Sequence, residues 1–211
     1  MNLITPLLLG FFTAFIGIIP PGLINMTAAK VNLKEGKKNA LWFVLGALII
    51  IVFQAFFAIL FAKIINRRPD LVILLREVGL GIFVMLTIYF LFLAKKPKDK
   101  TRSLKKNSKT NRFFLGILLS AINFFPIPYY VFVSISLATI KLFAFDMISI
   151  CIFVIGIVLG SFSVFYSYIT FFNSIENKTD FIMRNINTII GSITGLISII
   201  TFLNIIKNYW L

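Results

Sequence analysis

Apolar runs of twenty or more residues recur along the whole of this 211-residue chain, and they dictate the solvent in which it folds. A soluble helix or strand carries polar residues on one face at regular spacing. These runs do not, and each is long enough to cross ~30 Å of hydrocarbon at ~1.5 Å per residue. Six spans are expected, at approximately 3–29, 39–62, 71–94, 113–140, 147–172 and 181–206. The expected fold class is an all-α integral membrane protein with six transmembrane helices. With 59% hydrophobic and 13% charged residues, no length is left for a separate soluble domain.

The charge of +14 sets the topology rather than a nucleic-acid surface. Nine of the 21 basic residues (Lys95, Lys96, Lys98, Lys100, Arg102, Lys105, Lys106, Lys109 and Arg112) fall between spans three and four, opposed only by Asp99. No aromatic side chains are interleaved with them as a base-stacking surface requires, so no nucleic-acid partner is expected. The positive-inside rule makes 95–112 a cytoplasmic loop. The connections after spans one, three and five then carry 15 basic residues and the other side six, and both termini face outward. Anionic lipid could bind this loop, at ~1 kcal/mol per basic residue near the surface, but a solvated topogenic linker is the simpler expectation.

Catalytic and metal chemistry find little footing. Cys151 is the single cysteine and histidine is absent, so no disulfide, zinc spacing or imidazole switch exists, and neither cofactor nor metal is expected. Paired interior carboxylates and nucleophile–base spacings are missing too, and a non-enzyme is expected. No Asp or Glu lies deep in an expected span, which leaves the usual proton carrier of an antiporter unassigned. The opening Met1-Asn-Leu-Ile-Thr-Pro-Leu has no basic residue before its apolar run, unlike a secretory signal, and reads as a retained first span.

Two of the spans are interrupted. Phe15-Ile-Gly-Ile-Ile-Pro-Pro-Gly-Leu-Ile-Asn25 places Pro20, Pro21, Gly22 and Asn25 inside span one, and Asn123, Pro126 and Pro128 stand inside span four. Proline removes an N–H and crowds the carbonyl one turn earlier, so these prolines free the carbonyls of Ile16, Gly17, Ile122 and Phe124. In hydrocarbon such groups must be covered by protein or line a cavity. Freed carbonyls suit an ammonium or a cation, and a restarting helix offers N–H groups to a carboxylate; a zwitterionic amino acid needs both. Gln54, eight residues from Gly46 on span two, lines the pathway or makes an interhelical hydrogen bond. Pro20, Pro21, Gly22, Asn25, Gln54, Asn123, Pro126 and Pro128 are therefore the expected substrate-binding residues.

The halves repeat. Gly10 and Pro20 are matched by Gly116 and Pro126 at a shift of 106, with Ala14 on Ser120, Gly17 on Asn123 and Gly22 on Pro128. Gly46 answers to Gly156 and Gly79 to Gly191, at shifts of 110 and 112. Three spans per half is odd, so residues 1–94 and 113–211 form a 3+3 inverted repeat joined by the loop 95–112. Inverted repeats with paired, interrupted helices point to a secondary transporter. Gly10, Ala14 and Gly17 share a helix face, as do Gly156 with Gly160 and Gly191 with Gly195; helix packing is their expected role.

These residues resemble the LysE/RhtB superfamily of bacterial amino-acid exporters. Leu9 to Asn25 looks like the family's first-span motif with its Pro-Gly-Pro type break. Lys34 to Gly46 is similar to its basic turn and glycine-spaced second helix, and Leu75-Arg-Glu-Val-Gly79 to the opening of its third span. The second half resembles it more loosely. Here the break reads Pro20-Pro21-Gly22, and two phenylalanines separate Asn123 from Pro126, so the location of the site is carried over and no particular substrate. The resemblance implies an inner-membrane exporter of amino acids or related small polar metabolites, driven by a proton or ion gradient; a homo-oligomer is left open. The alternative is a non-transporting membrane subunit or assembly factor, in which the breaks are partner-binding kinks.

Overall fold

The computed structural model describes residues 3–68, 77, 79–81, 83–85, 87–93 and 109–210, with side chains at only some positions from 172 onward. Regular structure among the described residues is helical: α1 (Ile4–Ile18), α2 (Leu23–Glu35), α3 (Lys37–Asn66), a π-helical turn Tyr89–Leu93, α4 (Lys109–Ile122), α5 (Pro126–Thr139), α6 (Met147–Arg184) and α7 (Ile186–Trp210). Helix α3 and the Met147–Phe171 part of α6 are each long and apolar enough to cross a membrane. The pairs α1/α2 and α4/α5 meet the same test but are bent by 78° and 62° at their breaks, giving two spans among the described residues, or four if each bent pair is one. The basic loop lies largely outside the described residues, as do 71–76 and four further positions of the expected third span.

The interruptions expected in spans one and four are present, and proline chemistry explains them. The last helical bond of α1 runs from the Ile19 N–H to the Phe15 carbonyl at 3.1 Å. Pro20 and Pro21 have no N–H with which to extend the ladder. Gly22 then adopts an extended conformation (φ −125°, ψ 176°), and its carbonyl accepts the Met26 N–H at 3.0 Å as α2 begins. In the second half Pro126 opens α5 in its first turn, where a missing N–H costs nothing.

Two tight corners position the remaining helices. Gly36, at φ 86° and ψ 162°, joins α2 to α3 in a region essentially reserved for glycine, its N–H donating to the Asn32 carbonyl at 2.9 Å. After α5 the chain turns through Lys141 at φ 60°, and the Leu142 N–H reaches back to the Leu137 carbonyl at 3.0 Å. Asp146 caps α6 by accepting the Ser149 N–H at 2.9 Å. Hydrogen bonds from the Ser149 hydroxyl and then its backbone N–H hold the Asp146 carboxyl below the ordinary carboxylate range.

By contacts the chain divides into two compact units, Met1–Ile64 with Arg102–Glu176, and Ile65–Thr101 with Asn177–Leu211. In the first, glycines set the helix crossings. A Cβ on Gly10 would overlap the Phe153 carbonyl and one on Gly156 the Leu7 carbonyl, so α1 and α6 touch backbone to backbone. A Cβ on Gly46 would overlap the Phe113 carbonyl and one on Gly116 the Phe43 carbonyl, which puts α3 equally close to α4. Gly160 approaches the Phe11 carbonyl in the same way. Around these crossings Ala14, Ala28, Ala47, Phe43, Phe153 and Ile157 are fully buried. Phe53, Phe57 and Phe61 form an outward ridge on α3, 55%, 63% and 55% exposed, as an element bathed in hydrocarbon carries. In the second unit the Leu91 side chain fills the space a Cβ on Gly191 would need, and the Thr87 methyl lies 3.3 Å from that of Gly195.

Candidate functional site

Both breaks belong to the first unit, and in each a side-chain amide donates to carbonyls of the broken turn. These are Ile18 and Pro20 at the first and Ser120 and Asn123 at the second, instead of the expected Ile16, Gly17, Ile122 and Phe124; the Phe124 carbonyl accepts the Ile127 N–H at 3.2 Å. At the first, Asn25 is 3% exposed, and its Nδ2 donates to the Ile18 carbonyl at 2.6 Å and the Pro20 carbonyl at 3.0 Å. The Tyr168 hydroxyl, arriving from α6, donates to the Ile19 carbonyl at 2.8 Å. At the second, Gln54 of α3 donates from Nε2 to the Ser120 carbonyl at 3.1 Å and the Asn123 carbonyl at 2.9 Å. Unpartnered carbonyls in a low-dielectric core are expensive, and these bonds lower that cost.

Tyr129 ties the two breaks together. Its ring packs against Gly17, 2.6 Å from where a Cβ would stand, and its hydroxyl donates to the Thr13 carbonyl at 2.8 Å. It directly follows Pro128, so the start of α5 rests on the last turns of α1. Of the expected site residues, Pro21 and Asn25 are buried, whereas Pro20, Gly22 and Pro128 are exposed. Asn123 and Pro126 are half-buried, and Asn123 takes part through its backbone: its N–H donates to the Ser120 carbonyl at 3.1 Å and its carbonyl accepts from Gln54. Gln54 makes the interhelical hydrogen bond.

At one end of the unit, the end from which α3 and α4 start, polar contacts converge that the sequence reading did not assign. Arg112 donates from Nε to Glu35 Oε2 at 2.7 Å and from its terminal nitrogen to Oε1, a bidentate pair with side chains 2% and 1% exposed. It joins the last turn of α2 to the first turn of α4. Beside it the Asn32 amide donates to the Ile169 carbonyl at 2.8 Å, and Lys37 donates to the Tyr166 hydroxyl at 2.6 Å with its ammonium 4.4 Å from the ring centre. A signal existed for the ion pair: Glu35 is the lone acid among Lys30, Lys34, Lys37 and Lys38.

The arrangement is thus two broken helices laid against each other, with freed backbone held by amides and one end closed by a buried ion pair. Residues 15–203 match a family model described as LysE type translocator. Comparisons with curated proteins and with solved structures gave no match.

Proposed function

This chain belongs to the LysE type translocator family, a family of membrane transporters, and from that premise we propose that it exports an amino acid or related small polar metabolite across the bacterial inner membrane. The proposed mechanism is alternating access between two inverted three-span repeats, with both termini outside and the basic loop in the cytoplasm. One observation carries the reading. Gly10 and Gly116 correspond between the halves, as do Gly46 and Gly156, and Gly10 crosses at Gly156 while Gly116 crosses at Gly46. That is one crossing made twice with the halves exchanged, as a two-fold axis in the membrane plane requires.

In this reading the solute sits between the breaks, at Pro20, Pro21, Gly22, Asn25, Gln54, Asn123, Pro126 and Pro128. Glu35 and Arg112 close the cytoplasmic side, so this conformation is shut toward the compartment that supplies the solute. Loading requires the pair to part or move as a body, and the bent pairs α1/α2 and α4/α5 are the elements that can swing. The test is efflux from liposomes holding purified protein and a panel of radiolabelled amino acids, under an imposed pH or ion gradient. Gradient-dependent loss of at least one amino acid is expected. If none moves, the solute belongs to another class or the chain serves as a non-transporting subunit.

A further inference from the structure

Among the described residues two buried side-chain atoms are without a hydrogen-bond partner, and both lie at the second break: Gln54 Oε1 and Ser120 Oγ. Gln54 is 8% exposed and Ser120 1%. The Gln54 amide is fixed by its two Nε2 bonds to the Ser120 and Asn123 carbonyls, which holds Oε1 beside the last turn of α4. Leaving an acceptor and a hydroxyl dry in a membrane core is costly, so the pair needs an occupant.

The oxygen atoms on offer suit a positive occupant. The last turn of α4 carries no basic residue, and α4 ends there, so its carbonyls present the negative end of the helix dipole. The Asn123 carbonyl, with one lone pair used by Gln54, has a second to offer. Oxygen donors at a broken helix's C-terminal end are the usual setting for a small cation in transporters. No cluster of carboxylates, cysteines or histidines among the described residues suits a multivalent metal, and none of these three oxygens takes up a proton near neutral pH. In this conformation both orphan atoms are shut off from solvent, which limits what can touch these two atoms to atomic size.

The first break shows that the pair is not simply what a break requires. Ala14 and Val164 stand at the positions corresponding to Ser120 and Gln54, at shifts of 106 and 110, and both are buried and apolar. The first break's carbonyls are already taken by Asn25 and Tyr168. We infer that Gln54 Oε1, Ser120 Oγ and the Asn123 carbonyl oxygen bind a dehydrated monovalent cation the size of sodium. Its role as the coupling ion of export rests on the transport reading; its binding does not.

The test is equilibrium binding of radioactive sodium to the full chain in nanodiscs with choline as the background cation, together with melting in sodium or choline chloride at equal ionic strength. Wild type should bind sodium saturably and melt higher in sodium. Ser120→Ala, which introduces the residue found at the corresponding Ala14, should melt as wild type does in choline but bind sodium at least tenfold more weakly. Absence of saturable binding and of any sodium-dependent melting shift in wild type overturns the site, whatever the variant does. So does binding unchanged in Ser120→Ala, which leaves water as the occupant. Because no amino acid is present, sodium binding lost in Ser120→Ala alongside a failure of every amino acid to move would remove the export reading alone.

Discussion

Arg112 and Glu35 meet as a bidentate ion pair with both side chains buried, joining the N-terminal turn of α4 to the C-terminal turn of α2. Each charge left water to get there, so removing one partner strands the other: Glu35→Gln or Arg112→Gln should lose about 3–5 kcal/mol of stability. Replacing both by apolar residues of similar volume, Glu35→Leu with Arg112→Met, removes the desolvation cost as well and should recover most of that loss. Denaturant titration of the four proteins in one detergent measures the cycle. A double variant as unstable as either single one would show that the pair acts by packing and not by charge.

Residues that act along the chain were legible in the sequence, and residues that act across it were not. The prolines located both interruptions because a missing N–H is a local fact, and the glycines marked the crossings because a missing Cβ matters wherever a helix is approached closely. The side chains that bond the backbone around the breaks came from elsewhere: Gln54 is 66 residues from Ser120, Tyr129 is 116 from Thr13 and Tyr168 is 149 from Ile19. Asn25 was expected to offer its amide to a ligand, yet the break itself takes the Nδ2 hydrogens. At the third glycine pair the space beside Gly191 is filled by the Leu91 side chain.

The first break supplies a second measurement. Asn25→Leu takes away the bonds to the Ile18 and Pro20 carbonyls together, and since Ile18 is half-buried and Pro20 exposed the loss should be about 1–3 kcal/mol in all. Tyr168→Phe takes away only the bond to the Ile19 carbonyl and should cost about 1 kcal/mol. Thermal unfolding of both variants should therefore rank Asn25→Leu below Tyr168→Phe. The opposite order would place the main support of the break on α6.

Asp146 predicts a pH dependence outside the spans. Its folded carboxyl titrates below the ordinary value of about 3.9 because Ser149 donates hydrogen bonds to the ionised form. The capping stabilisation is fully present above the ordinary carboxylate value and is lost as pH falls through the depressed folded value. Wild type should lose melting temperature relative to Asp146→Asn between about pH 5 and pH 2, and the two curves should run parallel above about pH 6. Parallel curves throughout would mean that the exposed cap contributes nothing in its ionised form.

The glycine crossings offer the sharpest check on the two-fold relation. Alanine at Gly46 or Gly116 drives a Cβ into a backbone carbonyl of the facing helix, and alanine at Gly10 or Gly156 does the same at the other crossing. A backbone oxygen cannot step aside as a flexible side chain can, so each substitution must separate two helices, at about 1–3 kcal/mol or more. Gly22→Ala is the control: its Cβ would meet only the Pro20 carbonyl at 3.9 Å, and the extended backbone there suits any residue. Stability of Gly22→Ala should match wild type in this conformation, so an export defect in that variant would report a different conformation visited during the cycle. If the crossings are related by symmetry, Gly10→Ala and Gly116→Ala should cost similar amounts, as should Gly46→Ala and Gly156→Ala. A difference of several kcal/mol within either pair, measured by denaturant titration, would mean that the two halves do not carry equal load and that the axis relates their shape only.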